Sequence, residues 1–147
     1  MQIWPQLKGR VFHRTSLKNY SKIINSGFID NNQNEKYQLN WNNNSFFKKR
    51  GYVSVCDLYN NTRPRLTKEA AISKYNIFGQ KSDCDNKFVF LFLSKDEYQN
   101  LVTWQEWLKQ RSSDLLVPYL ESGYPEKILL SSIEEIWFFE IKDRPKI

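Results

Sequence analysis

The sequence predicts an α+β fold in a single domain spanning residues 1–147. Two patterns point there: apolar runs of strand length at residues 11–17, 52–58 and 87–94, and stretches between and after them whose apolar residues recur at helical spacing. Length is the third pointer, since 147 residues with 40% apolar and 16% aromatic side chains can bury one good core.

The run Val11-Phe12-His13-Arg14-Thr15-Ser16-Leu17 reads as a short buried strand carrying the only histidine. Ser16 can accept from the open amides of a following helix, Leu17, Tyr20 and Ile24 fall on one helical face, and Gly27 suits the left-handed turn that ends it. His13 and Thr15 project from the same side of the strand.

Residues 31–44 are rich in asparagine and lack the apolar period of either regular structure, so they are expected as a long surface loop. Tyr37, Leu39, Trp41, Phe46 and Phe47 interrupt it. Aromatics in such a loop either pin it to the core or stack on a base.

Residues 52–58 alternate as a half-buried strand does, with Tyr52, Ser54 and Cys56 on one face. Arg63-Pro64-Arg65 breaks the chain before an expected short helix at residues 67–75, with Thr67 near its start. Residues 87–94 are apolar on both faces and predict a central strand covered on each side. Ser94-Lys95-Asp96-Glu97 has the pattern of a capping box, opening a helix expected to run to about Arg111, with Trp104 and Trp107 widening its apolar face.

The last third predicts a strand over residues 115–121 that ends in Glu121, then a Ser122-Gly123-Tyr124-Pro125 turn and a final strand at residues 137–142. A carboxylate that follows an apolar run is unusual, because burial raises its pKa unless a partner favours the charged form. Glu134, Glu135 and Glu140 are weaker candidates, as acids among isoleucines suit a solvated turn or helix face.

Charge divides by position. Through Gly79 there are 13 Lys and Arg against 4 Asp and Glu, a net of +9; from Gln80 onward the net is −3. A basic first half favours a polyanion or the pyrophosphate of a dinucleotide, although surface lysine also serves solubility alone. The first residues lack the pattern of a signal peptide, and no run reaches the roughly 20 apolar residues of a membrane helix, so a cytoplasmic protein without membrane contact is expected. Cys56 and Cys84 are too few for a disulfide framework and lack zinc-ligand spacing; both are expected as reduced thiols. One histidine without clustered carboxylates makes a metal-dependent nuclease a poor reading.

The order His-x-Thr, helix, glycine, then a serine-bearing strand, then a late glutamate before a proline resembles the plan of the ADP-ribosyltransferase superfamily. Within it the chain most resembles the DarT-like DNA ADP-ribosyltransferases and related abortive-infection proteins. The resemblance runs from Phe12 to about Ile136 and rests chiefly on His13, Thr15 and the phrase Val-Pro-Tyr-Leu-Glu-Ser-Gly-Tyr-Pro at residues 117–125. It implies a split, mostly antiparallel sheet with flanking helices, NAD as co-substrate and no metal. It further implies Glu121 as the catalytic carboxylate, His13 on the adenosine ribose, Thr15 at the nicotinamide side, Ser54 or Tyr52 lining the ring pocket, and Arg14 or Arg50 facing the pyrophosphate. The arginine of the second motif has no unique match: Arg50 is nearest the strand, with Arg63 and Arg65 beyond it. The implied function is transfer of ADP-ribose to a macromolecule, nucleic acid (DNA or RNA) favoured over protein, in bacterial or phage conflict, with an antitoxin or immunity protein as a further partner. The rival reading is a basic module that binds nucleic acid or protein without catalysis, in which His13 is a satisfied core residue and Glu121 a surface acid.

Overall fold

The computed structural model describes residues 4–31, 51–60, 87–103, 106 and 121–140. The chain opens with a helical turn, α1 (Trp4–Leu7), whose Leu7 is fully buried. Gly9, at φ 76°, turns the chain into β1 (Val11–Ser16).

Helix α2 (Leu17–Ser26) begins and ends as the sequence predicts. Ser16 Oγ accepts from the Asn19 amide at 3.0 Å, and Gly27, at φ 86°, donates its own amide to the Ile23 carbonyl at 2.9 Å. The buried stripe differs from expectation, because Asn19 and Ile23 are buried while Ile24 is 45% exposed. Each residue advances about 100° around a helix, and centring the contact on Ile23 leaves Ile24 at its edge.

Strands β2 (Phe28–Asp30) and β3 (Tyr52–Asp57) follow, with the Asn31 side-chain Nδ2 donating to the Gly51 carbonyl at 3.2 Å between them. Then come β4 (Lys87–Leu93), β5 (Glu121–Pro125), β6 (Lys127–Leu129) and β7 (Ile133–Glu140). The main sheet has the order β5-β3-β1-β4-β7, β2 pairs with β6 separately, and every pair is antiparallel. The described residues thus form a mixed α and β arrangement with a mostly antiparallel sheet and few helices. Among the described residues no helix is long and apolar enough to cross a membrane.

Opposed residues in a ladder share a face, which gives the sheet two cores. One face carries Phe12, Cys56, Phe88, Phe90 and Phe92, joined by Leu7, Leu58, Trp137 and Phe139. Phe12 stacks on Phe90 with ring centroids 4.2 Å apart, and Phe88 on Phe139 at 4.8 Å. The other carries Val11, Val53, Val55, Val89, Leu91 and Leu93, covered by Ile23, Ile29, Tyr98, Leu101 and Ile128. β4 contributes alternately to both, and its residues Phe88 to Leu93 are all buried, as the unbroken apolar run predicts.

Three expectations are corrected. The helix from Ser94 is a 3₁₀ segment, Lys95–Asn100, that stops at Leu101, and the Ser94 side chain makes no cap. Val102 instead pairs with Gly123 through two backbone hydrogen bonds of 2.8 and 2.9 Å, which extended backbone allows and helix does not. The capping-box glutamate, Glu97, accepts instead from Tyr124, from Ser132 at 2.9 Å and from Asn100 at 3.0 Å, while the Ser94 amide donates to the Ser132 carbonyl at 2.9 Å. Second, Ser122-Gly123-Tyr124-Pro125, expected as a turn, forms strand β5 together with Glu121. Its backbone is occupied by the β3 ladder, leaving the turn to Glu126 at φ 62°. Third, Glu134, Glu135 and Glu140 lie in β7, which starts at Ile133. There Arg10, its guanidinium 3.7 Å from the Phe92 ring centroid, reaches Glu134 at 3.3 Å and Glu135 at 2.8 Å.

The asparagine-rich segment beyond Asn31, the helix at residues 67–75, the continuation toward Arg111 with Trp104 and Trp107, the run at residues 115–120, and Arg50, Arg63, Arg65 and Cys84 lie outside the described residues.

Candidate functional site

The strands that carry His13, Ser54 and Glu121 are neighbours in space. β3 lies between β1 and β5, so segments more than 100 residues apart in sequence meet within two strand spacings, about 10 Å.

Their pairing is uneven. β3 and β5 pair from Tyr52↔Pro125 to Cys56↔Glu121, and β1 pairs with β4 from Phe12 to Ser16. Between β1 and β3 only Val11↔Asp57 and Phe12↔Cys56 pair, so the sheet opens beyond Phe12. His13 is the first residue past that point, and its Nδ1 lies 2.9 Å from the Ser54 carbonyl oxygen. A side chain thereby replaces the missing ladder bond across the opening.

This bond sets the imidazole's chemistry. Burial holds the His13 pKa below its ordinary 6.5; the Ser54 carbonyl opposes that shift and the nearby Arg14 charge adds to it. The ring is therefore neutral at physiological pH. A carbonyl only accepts, so Nδ1 carries the proton and Nε2 is left as an acceptor, a form suited to receiving a hydrogen bond from a sugar hydroxyl.

Glu121 is 4% exposed. It stands opposite Cys56, which stands opposite Phe12, so its side chain shares the phenylalanine face with Cys56. Cys56 is a buried cysteine. Tyr52 and Ser54 are on that face too, and Gly123, the partner of Ser54, adds no side chain beside them. Arg14 also faces this way, but its guanidinium sits 4.7 Å from the Phe88 ring centroid, toward β4. His13 and Thr15 alternate onto the opposite face, paired with Leu91 and Val89. The sheet thus brings Tyr52, Ser54 and Glu121 together on one face and His13 and Thr15 on the other, with the His13 side chain reaching β3 where the β1/β3 pairing stops.

Two further polar groups adjoin the site. Asp57, fully buried, accepts at Oδ1 from the amides of Tyr59 (2.9 Å) and Asn60 (2.7 Å), and at Oδ2 from Ser122 Oγ (2.7 Å) and Asn60 Nδ2 (3.1 Å). The sequence reading missed it. Its signal was legible as an aspartate that ends an apolar strand just before polar residues, the pattern of a side chain that folds a turn onto itself. On β5, Tyr124 donates to Glu97. Partial burial and that carboxylate push the phenol up to about 12, and the same bond is the main cause that lowers the Glu97 pKa.

Among the described residues no group of three or more His, Cys, Asp or Glu is arranged to hold a metal. No family model, curated protein or solved structure matches this chain.

Proposed function

We propose that the chain is an NAD-dependent mono-ADP-ribosyltransferase that moves ADP-ribose to a macromolecular acceptor, nucleic acid favoured over protein. The observation that carries this reading is the adjacency of β1, β3 and β5, which sets a neutral histidine at an opening in the sheet two strands from a buried glutamate. The motif order in the sequence supports it, and so does the net charge of +9 in the first half.

In this reaction the bond between nicotinamide and ribose C1′ breaks, its electron pair leaves with nicotinamide, and positive charge develops on the ribose. A carboxylate at Glu121 stabilises that charge more in the transition state than in the ground state. As the acceptor's nucleophile bonds to C1′, the same carboxylate takes the proton that the nucleophile loses. His13 accepts from an adenosine ribose hydroxyl through Nε2, and Tyr52 and Ser54 line the nicotinamide side.

A non-catalytic binding module is favoured by one observation: His13 and Glu121 alternate onto opposite faces, and the imidazole proton is already engaged by Ser54. The deciding experiment offers NAD labelled on its adenylate with DNA, RNA and lysate protein in turn, to the wild type and to Glu121→Gln. Label on one acceptor with the wild type alone establishes transfer and names the acceptor. No label and no nicotinamide release from folded protein gives the binding reading instead.

A further inference from the structure

We propose that Asp57 and Ser122 form a buried latch that sets the register of β5 and so positions Glu121 against Cys56. The catalytic consequence rests on the transferase reading, whereas the positional one rests on geometry alone.

β5 is a poor strand by composition. Glu121-Ser122-Gly123-Tyr124-Pro125 contains one residue of high strand preference, and it lies at the end of the main sheet's order. Register nevertheless matters most here, because a slip of one residue turns every side chain to the opposite face. Such a slip would carry the Glu121 carboxylate away from Cys56 and Ser54. Something other than strand preference must hold the alignment.

Asp57 is placed to do so. It follows Cys56, the partner of Glu121, and it grips the residue that follows Glu121 through the 2.7 Å bond from Ser122 Oγ. Both residues are fully buried. The grip is specific for a carboxylate, since four donors converge on two oxygens and only an acceptor-only group with about four lone-pair sites satisfies them all. An amide would turn a donor toward at least one of them. The bonds from the Tyr59 and Asn60 amides fix the aspartate on its own side, so the hydroxyl of Ser122 is held by a group that cannot swing with it. Asp57 and Ser122 are thus positioning residues, acting through Glu121.

The test reads Cys56, which the latch keeps beneath Glu121. Iodoacetamide labelling of the native protein, located by peptide mass spectrometry, is compared for the wild type, Ser122→Ala and Asp57→Asn. Gly27→Ala serves as a control destabilised away from β5. We expect labelling of Cys56 to rise at least tenfold in either latch variant and to stay near the wild-type rate in the control. In the transfer assay we expect kcat to fall at least tenfold with KM for NAD little changed. Unchanged Cys56 labelling in the folded latch variants overturns the proposal. So does an equal rise in the control, which would report global unfolding, and so does faster labelling with undiminished kcat. A wild type that transfers nothing removes the transferase reading, and the labelling comparison still decides whether the latch exists.

Discussion

The imidazole of His13 and the carbonyl of Ser54 meet at 2.9 Å across the point where β1 and β3 stop pairing. One side chain therefore spans the opening in the sheet, and it does so with a neutral ring whose pKa burial has lowered.

That bond gives the protein an acid-sensitive term. A base whose folded-state pKa lies below its unfolded value binds fewer protons when folded, so stability is lost as pH falls through 6.5 and the loss is complete below the folded-state value. His13 is the only histidine, and its unfolded-state value of 6.5 puts the change between about pH 7 and about pH 5.5. Urea midpoints across that window should decline for the wild type and stay flat for His13→Gln. A flat wild-type curve would place the ring in contact with water.

Tyr124 supplies the opposite term. Its phenol is raised to about 12 and that of an unfolded chain titrates near 10, so stability falls as pH rises between those values. Tyr124→Phe removes one donor from Glu97, which keeps Ser132 and Asn100. Because the pair is partly exposed, we expect a cost of about 1 kcal/mol, read by urea unfolding at neutral pH. The alkaline decline should become shallower with it, the remainder coming from Tyr98, whose phenol burial also raises.

The cap residues and the double-sided strand were legible because each depends on local chemistry. Ser16 needs only an open amide three residues on, Gly27 only a positive φ, and β4 only an unbroken apolar run. What escaped was set by distant partners. The 95–100 segment ends early because Val102 is claimed by Gly123, 21 residues later, and Glu97 abandons its cap for Tyr124 and Ser132. Glu121 was marked by its apolar approach, yet the strand that carries it is held by the β3 ladder and by Asp57, neither of which its own neighbours encode. Strand alternation at residues 52–56 placed Tyr52, Ser54 and Cys56 on one face, but whether Glu121 or His13 shared that face depended on register.

The phenylalanine face should dominate stability. Phe90 is fully buried between Phe12 at 4.2 Å and Phe139 at 4.7 Å, on a strand bounded by β1 and β7. Truncation there removes transfer energy and leaves a cavity that a sheet cannot close, so Phe90→Ala should cost about 3 to 5 kcal/mol. Denaturant unfolding measures it. A loss below about 1 kcal/mol would mean that this face is loosely packed.

Glu121→Gln separates shape from charge at the proposed centre. Glutamine keeps the volume and two hydrogen-bonding positions but carries no charge to meet the developing positive ribose and cannot take up the acceptor's proton. Binding of NAD should persist, while transfer should lose roughly 2 to 4 kcal/mol of barrier stabilisation, about thirtyfold to a thousandfold in kcat. In the proposed transferase His13 holds the other end of the substrate, so His13→Gln should raise KM for NAD more than it lowers kcat. That split distinguishes a transferase from a binding module: in the module neither variant changes an NAD-dependent signal, and affinity for nucleic acid falls instead with added salt and with loss of lysine and arginine. Steady-state transfer and fluorescence binding, run on both variants with the same protein preparations, read the two patterns apart.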